Sequence, residues 1–401
     1  MHKVLNQHIH EYLKEREETK LLRELTACSV RNNSTDLYLN LNDYLQLSRH
    51  PLIIEAAQKA LAEWGTTSSG SPVVGSYWPI HQELEEALKE WCGFEYGLLW
   101  NSGYTANKAL LSSLPQKNDV VLVDRYVHNS VLIGMRETQA KLIRYRHLDL
   151  NHLEDLLRLY THPDRTVFVV TESVFSMEGD YPDLKQMRLL KDRYQFFWIV
   201  DEAHAMGWYG PRGNGLVATF GVEKEVDILV ATLGKSLASQ GAFTLFHDRH
   251  LRSYLLNRTP EFIYSTYLTP AATAASLAAI EVIQTELIAR QSQWLSQTLQ
   301  LKNSLTHFFP SLPLYDSPIL PLVIGDPETT LRLAAELAEQ HHIYVGVIRP
   351  PSVPKGTSRL RLSLHCNLAF DSLAQILEDF FKKPVKKRGE HAKKTGYLIF
   401  E

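Results

Sequence analysis

Four side chains fall where a sheet of parallel strands would deliver them to one place: Asp201 and His204 in DEAHAMG, Thr232 and Lys235 in TLGKS. Each pair follows an apolar, β-branched run, Phe196–Val200 and Ile228–Thr232, of the kind that is buried on both faces of a parallel sheet. Ligands of open α/β sheets sit beyond the carboxyl ends of the strands. An acid, an imidazole, a hydroxyl and an amine are therefore expected to share one site. Lys235 has three readings. It can be a solvated turn lysine. It can be a phosphate-loop lysine, because Gly234-Lys235-Ser236 copies the end of G-x-x-x-x-G-K-[ST]; Leu229, inside a strand, stands where that loop needs glycine, and this reading fails. It can also carry pyridoxal phosphate as a Schiff base. Asp201 would then be the acidic partner of the pyridinium nitrogen, making the ring an electron sink for a carbanion at a substrate Cα.

Tyr96–Trp100, Val120–Val123, Val167–Thr171 and Phe243–Phe246 read as further strands, separated by helical stretches. This β-α-β rhythm predicts an α/β fold with a large, mainly parallel sheet covered on both faces. A smaller α/β unit follows, read from Pro318–Ile324, a helix over Thr330–His341, Ile343–Val347 and Arg359–Leu364. The expected division is an N-terminal helix and short strand (1–45), a large cofactor-binding domain (46–285), a small C-terminal domain (286–382) and a basic, solvated tail (383–401). Residues 1–30 predict one amphipathic helix with Leu13, Leu21, Leu22 and Leu25 as its apolar contacts, and Tyr38–Leu41 a strand. Pro51 opens a helix, and His81–Trp91 forms another. The Gly/Ser/Thr-rich loop Gly65–Pro79 is long for a compact domain, a length that goes with function.

The 401 residues are 44% apolar and 22% charged with a net charge of −3, which fits a globular chain with a sizeable core and disfavours nucleic-acid or membrane-surface partners. Cys28, Cys92 and Cys366 are far apart, as expected of free thiols in a reducing compartment. The polar start MHKVLNQHIHEYLKEREETK lacks the pattern of a secretory signal, so a cytoplasmic location is expected. The histidines at positions 2, 8, 10, 341 and 342 lack metal-ligand spacing, and no metal is expected. Gly213-Asn214-Gly215-Leu216-Val217-Ala218 imitates a dinucleotide fingerprint but follows Pro211-Arg212 instead of a strand.

DEAHAMGWYGPRGNG followed by TLGKS resembles the α-oxoamine synthase family of fold-type I pyridoxal-phosphate enzymes, and the similarity runs from Tyr38 to Leu377. Several roles follow from the resemblance. Lys235 carries the cofactor and then removes the Cα proton as a general base, a task that a pKa lowered by burial would suit. Asp201 pairs with the ring nitrogen, His128 (in DRYVHNS) stacks on the ring, and His204 and Ser176 serve its phenolic oxygen. Ser102-Gly103-Tyr104 opens the helix TANKALL, which on residues alone is either an ordinary turn or a phosphate cradle; in the family the Gly-aromatic pair contacts phosphate. Thr232 joins it. Ser265 and Thr266 reach the neighbouring subunit's phosphate, which implies a homodimer with shared active sites. Arg361 (in SRLRLSL) matches the arginine that grips the substrate carboxylate, with Arg349 as a second candidate. Asn42 lies near the substrate and Arg23 in the acyl channel. Arg359 is expected on the opposite face of its strand in a structural role, and Glu202 is given no chemistry.

The implied reaction is a decarboxylative Claisen condensation of an amino acid with an acyl thioester, releasing carbon dioxide and a free thiol. The phrase RPPSVPKGTSRLR is similar to that of members joining L-alanine to a pimeloyl group, carried by coenzyme A or an acyl-carrier protein, in biotin biosynthesis. Three departures fall around the acyl pocket. The loop at 67–76 lacks the family's arginine, Gln46 replaces a glycine, and Ser236–Gly241 is less glycine-rich than usual. Alternatives are a synthase using glycine with acetyl-CoA, one using a longer acyl thioester, an aminotransferase, or a non-catalytic binding protein.

Overall fold

The computed structural model describes residues 2–25 and 36–382; the expectation for the tail 383–401 lies outside them. Eleven strands are seen among the described residues. The large sheet contains β2 (Tyr96–Trp100), β3 (Val120–Asp124), β4 (Lys141–Tyr145), β5 (Val167–Glu172), β6 (Phe197–Asp201), β7 (Ile228–Thr232) and β8 (Ala242–Phe246). Their order is β2-β8-β7-β6-β5-β3-β4. β8 runs antiparallel to both of its neighbours, and all other pairings are parallel. Every residue of β3, β5 and β8 is buried, as continuous apolar runs require when helices cover both faces. Each fully buried Val, Ile or Leu contributes roughly 1.5–3 kcal/mol of transfer free energy. β4 is a strand that the sequence reading omitted. Its KLIRY is mostly half-buried or exposed because it lies at the sheet edge, so the apolar signal is weak.

The small sheet is built from β1 (Leu37–Leu39), β9 (Ile319–Gly325), β10 (Ile343–Ile348) and β11 (Ser358–Ser363), in the order β1-β10-β11-β9. β1 pairs parallel with β10, Leu37 opposite Ile343, so an N-terminal segment completes a C-terminal sheet. A separate apolar core lies beneath it, including Leu301, Leu333, Leu337, Leu362 and Phe380.

The N-terminal helix is shorter than predicted, Lys3–Glu18, with no buried residue. It stops where Thr19 Oγ1 bonds back to Glu15 O and Lys20 turns to φ 57°, a local competition that ends helices. Leu21 and Leu22 lie beyond its end, and Leu25 is exposed. Pro270–Ser304 is long and apolar enough by composition to cross a membrane. Its first half, Pro270–Val282, instead packs on helices Pro51–Trp64 and Pro79–Cys92.

The two sheets meet at the segment 176–181, which leaves the end of β5. Arg359 Nη1 on β11 donates to Met177 O and Glu178 Oε1, both at 2.9 Å. Arg361 Nε donates to Ser176 O at 2.6 Å. The expectation that these arginines face opposite ways is corrected here: residues two apart on a strand share a face, and both reach the same segment. Gly179 (φ 69°) is required there, because a Cβ would lie 2.5 Å from Ile319 O. Its carbonyl accepts from Ser317 Oγ.

Candidate active site

Neighbouring parallel strands β5, β6 and β7 end side by side, and their carboxyl ends supply Glu172, Asp201 and Thr232. Asp201 is buried, and its two oxygens are held separately. Asn107 Nδ2 donates to Oδ2 at 2.7 Å and the Ala203 N–H to Oδ1 at 2.9 Å. Two donors thus fix both of its oxygens in place.

After β7 the chain turns back on itself. Leu233 N bonds to Gly241 O and Ser239 N to Leu233 O, with Ala238 at φ 51°. This tight loop directs Lys235 inward, where its Nζ lies 2.8 Å from His204 Nε2. Loss of hydration lowers the amine to about 8, against the raising effects of Asp201 and Glu172. His204 is driven well below its ordinary value, first by burial and then by the positive charges of Lys235, Arg361 and His128. Its Nδ1 lies 2.6 Å from Tyr44 Oη. Tyr44 in turn donates to Asn42 Oδ1 (3.0 Å) and accepts from Arg361 Nη2 (3.3 Å).

Arg361 is buried and well occupied. Besides Ser176 O and Tyr44, its Nη1 donates to Asn42 Oδ1 (3.1 Å) and Ser363 Oγ (2.8 Å). Of the five N–H groups of a guanidinium, one on Nη2 is left for a ligand among the described residues. Lys235, His204, Tyr44, Arg361, Asn42 and Ser176 thus form one connected chain. His128 stands at its edge, with Nδ1 2.7 Å from Ser130 Oγ and its ring edge-on to Tyr104 at 6.3 Å.

Ser102 caps the helix Gly103–Ser113, accepting from Thr105 N at 3.1 Å. A Cβ on Gly103 would lie 3.9 Å from Thr232 Cβ, so the helix start faces Thr232. Thr232 Oγ1 accepts from Gly234 N and donates to Gly241 O. Thr266 O accepts from Asn101 Nδ2 at 2.9 Å, and Ser265 is half-buried beside it. The long loop holds this segment: Tyr267 N donates to Gly70 O, and Ser68 Oγ to Tyr267 O.

Two of the proposed substrate residues lie apart from the lysine chain. Arg349 donates to Lys20 O and Leu22 O, tying down the N-terminal segment. Arg23 Nη2 donates to Ser352 Oγ at 3.2 Å. Arg23 and Ser352 border a cavity of about 850 Å³ that also touches His128 and Ser176. Its wall carries Arg125, Arg136 and Arg144 among apolar side chains. All three arginines are exposed.

Sequence reasoning missed Tyr44, Asn107, Ser363 and Glu172 as parts of the site. Asn107 had a signal, an amide placed mid-helix among apolar residues. Ser363, two residues after Arg361, shares its face. Tyr44 carried none, since His204 and Arg361, which it joins, come from distant segments. Glu202, by contrast, is structural. Its Oε1 accepts from Val217 N at 3.0 Å, and a Cβ on Gly215 would lie 1.5 Å from its Oε2.

These residues fit pyridoxal phosphate. An amine lowered to about 8 beside a neutral imidazole is a competent carbonyl-binding group. A doubly anchored carboxylate suits a pyridinium, and a capped helix start facing a hydroxyl suits a phosphate.

Comparison with known proteins agrees. The class I and II aminotransferase family matches residues 34–380. An 8-amino-7-oxononanoate synthase of Chlorobaculum parvum is 40% identical over 352 residues, covering 85% of this chain and 88% of that protein. The crystal structure of 8-amino-7-oxononanoate synthase from Francisella tularensis superposes with a TM-score of 0.73 at 28% identity, covering 87% of this chain and 97% of the other. The serine palmitoyltransferase of Sphingomonas wittichii gives a TM-score of 0.84 at 26% identity, with coverages of 95% and 97%. The chain therefore belongs to the class I and II aminotransferase family, as a fold-type I pyridoxal-phosphate enzyme of the α-oxoamine synthase group, an acyltransferase similar to the 8-amino-7-oxononanoate synthases.

Proposed function

We propose that this enzyme condenses L-alanine with a pimeloyl thioester, giving 8-amino-7-oxononanoate, carbon dioxide and a free thiol for biotin biosynthesis. The observation that carries the reading is the hydrogen-bonded chain from Lys235 through His204 and Tyr44 to Arg361, beside a cavity walled by arginines. It joins a base to a carboxylate receptor and gives an anionic acyl donor an entrance. The name carried by relatives at about 40% identity supports the same substrates.

Gly103, Tyr104 and Thr232 would hold the cofactor phosphate, Asp201 its ring nitrogen, and His128, Ser176 and His204 the remaining ring contacts. Bound there, pyridoxal phosphate supplies the electron sink that stabilises a carbanion at the amino acid Cα. Lys235 holds the site before substrate arrives, then takes the Cα proton on Nζ. An amine near 8 is largely free to do so at mildly basic pH. His204 accepts from that amine at Nε2 and stays neutral. Arg361 orients the alanine carboxylate with its spare Nη2 hydrogen, and Asn42 and Tyr44 fix the guanidinium. The thioester enters past Arg23, with Ser352 and the guanidinium wall binding its anionic groups; Arg349 holds the adjoining segment.

A homodimer completes the reading, with Ser265 and Thr266 reaching the partner subunit's cofactor. Tyr264 beside them is 82% exposed, an area that a partner subunit would cover. The expected compartment is the cytoplasm, where acyl thioesters are made.

A second reading is a long-chain acyl transfer, favoured by the fold shared with serine palmitoyltransferase. A panel of acyl thioesters offered with alanine, glycine and serine, following carbon dioxide and free thiol, separates the two. Preference for pimeloyl with alanine is expected. Preference for palmitoyl with serine would replace the proposal.

A further inference from the structure

Glu172 is a buried carboxyl that the proposed roles leave unused. It ends β5, and its register partner on β6 is Asp201. Paired residues of parallel strands project from the same face of the sheet, so two carboxyls stand side by side with Lys235 as the amine that bears on both. They are held differently. Asp201 receives two donors, from Asn107 and Ala203. Glu172 receives the Ser176 N–H on Oε2 at 3.1 Å, while Oε1 is buried with no partner among the described residues. The backbone N–H of His128 bears on the same carboxyl.

We infer that Glu172 is a positioning residue: from the strand beside Asp201 it fixes the segment carrying Ser176 and the turn carrying His128, as a neutral acid that leaves Asp201 the one carboxylate of the site. The inference rests on Asp201 and Lys235 forming the cofactor site. A buried anion with a bare oxygen costs more than a neutral carboxyl whose oxygen is equally bare. Charge points the same way. Burial and the neighbouring Asp201 push Glu172 well above the usual carboxylate range, with Lys235 and the Ser176 and His128 N–H groups opposing. Asp201 alone then balances the positive charge of the ring nitrogen. Glu172 sets where His128 and Ser176 stand without adding a second negative charge.

The test uses the holoenzyme of the wild type, Glu172→Gln and Glu172→Ala, reading the visible absorbance of the bound cofactor across a pH scan, together with kcat. Gln keeps an acceptor for Ser176 N–H and carries no charge. Its titration midpoint is expected to match the wild type. If Glu172 were ionised, Gln would remove a negative charge near the protonated nitrogen, and the midpoint would fall by about one unit or more; that fall overturns the inference. Ala frees both segments, and kcat is expected to drop by roughly tenfold to a hundredfold, the scale of a misplaced catalytic group. A Glu172→Ala enzyme equal to wild type in kcat also overturns it. Should Ala fail to fold, the Gln midpoint decides alone. Absence of cofactor absorbance in the wild type would overturn the site assignment itself, which is a different result from a shifted midpoint.

Discussion

Lys235 and His204 share a 2.8 Å hydrogen bond in which the amine donates to Nε2. Hydrogen accounting gives the direction. Tyr44 has one hydroxyl proton, committed to Asn42 Oδ1, so it accepts from His204, whose proton therefore sits on Nδ1. His204 Nε2 is left as an acceptor. A neutral imidazole with this tautomer keeps Lys235 from facing a second cation. It also connects the amine to the guanidinium of Arg361 through one phenol.

Replacing Lys235 by Ala removes both the carbonyl-binding amine and the base. Borohydride reduction of the cofactor-loaded wild type followed by peptide mass spectrometry is expected to place the cofactor mass on Lys235. The Ala variant should show no such adduct and no turnover above background. A labelled peptide elsewhere in the chain would refute the assignment.

Tyr44→Phe deletes the phenol that connects His204, Asn42 and Arg361. With donors on His204 and Arg361 left unpaired, a stability loss of about 1–3 kcal/mol is expected, read as a lower denaturant midpoint. The freed guanidinium should orient alanine less well, so KM for alanine rises about tenfold. KM for the thioester should hold nearly constant. An effect confined to the thioester would show that Tyr44 serves the acyl side.

How far the sequence reached depends on the range of the interactions. β5, β6 and β7 were legible because strands buried on both faces must be apolar throughout, and the residues that interrupt them are Glu172, Asp201 and Thr232. β4 was not, because an edge strand left partly open on both faces carries the exposed Lys141 and Arg144. The long-range partners were invisible. Tyr44 meets His204 across 160 positions and Arg361 across 317, and no local pattern encodes such a meeting. The departures at Gln46 and Ala238 acquire a physical meaning in the structure. Both occupy left-handed backbone, at φ 56° and 51°, where glycine is at ease and other residues cost roughly 1–2 kcal/mol.

Arg136 and Arg144 tests the entrance. Both are exposed and line the cavity, so charge reversal should leave the fold intact. Arg136→Glu and Arg144→Glu are each expected to raise KM for an anionic thioester about tenfold, with alanine KM unchanged. The wild-type KM should itself rise with ionic strength, as exposed charges are screened. A thioester KM indifferent to both variants would move the entrance elsewhere.

Lys302 offers a prediction about stability instead of catalysis. It is fully buried in the helix Gln291–Ser304, donating to Tyr315 O (2.7 Å), Ser317 O (3.0 Å) and Ser317 Oγ (3.2 Å). Burial lowers its amine to about 7, against the raising effects of Asp316 and Asp180. In the unfolded chain a lysine titrates near 10.4, so between about pH 7 and 10.4 the unfolded state binds more protons than the folded one. Stability from this group therefore rises with pH across that window and is smallest below it. Lys302→Met removes the titration. Denaturant unfolding of cofactor-free wild type and variant at several pH values should show the wild type gaining on the variant from pH 7 upward. Parallel curves would mean that the folded protein keeps Lys302 charged throughout, held by its three acceptors.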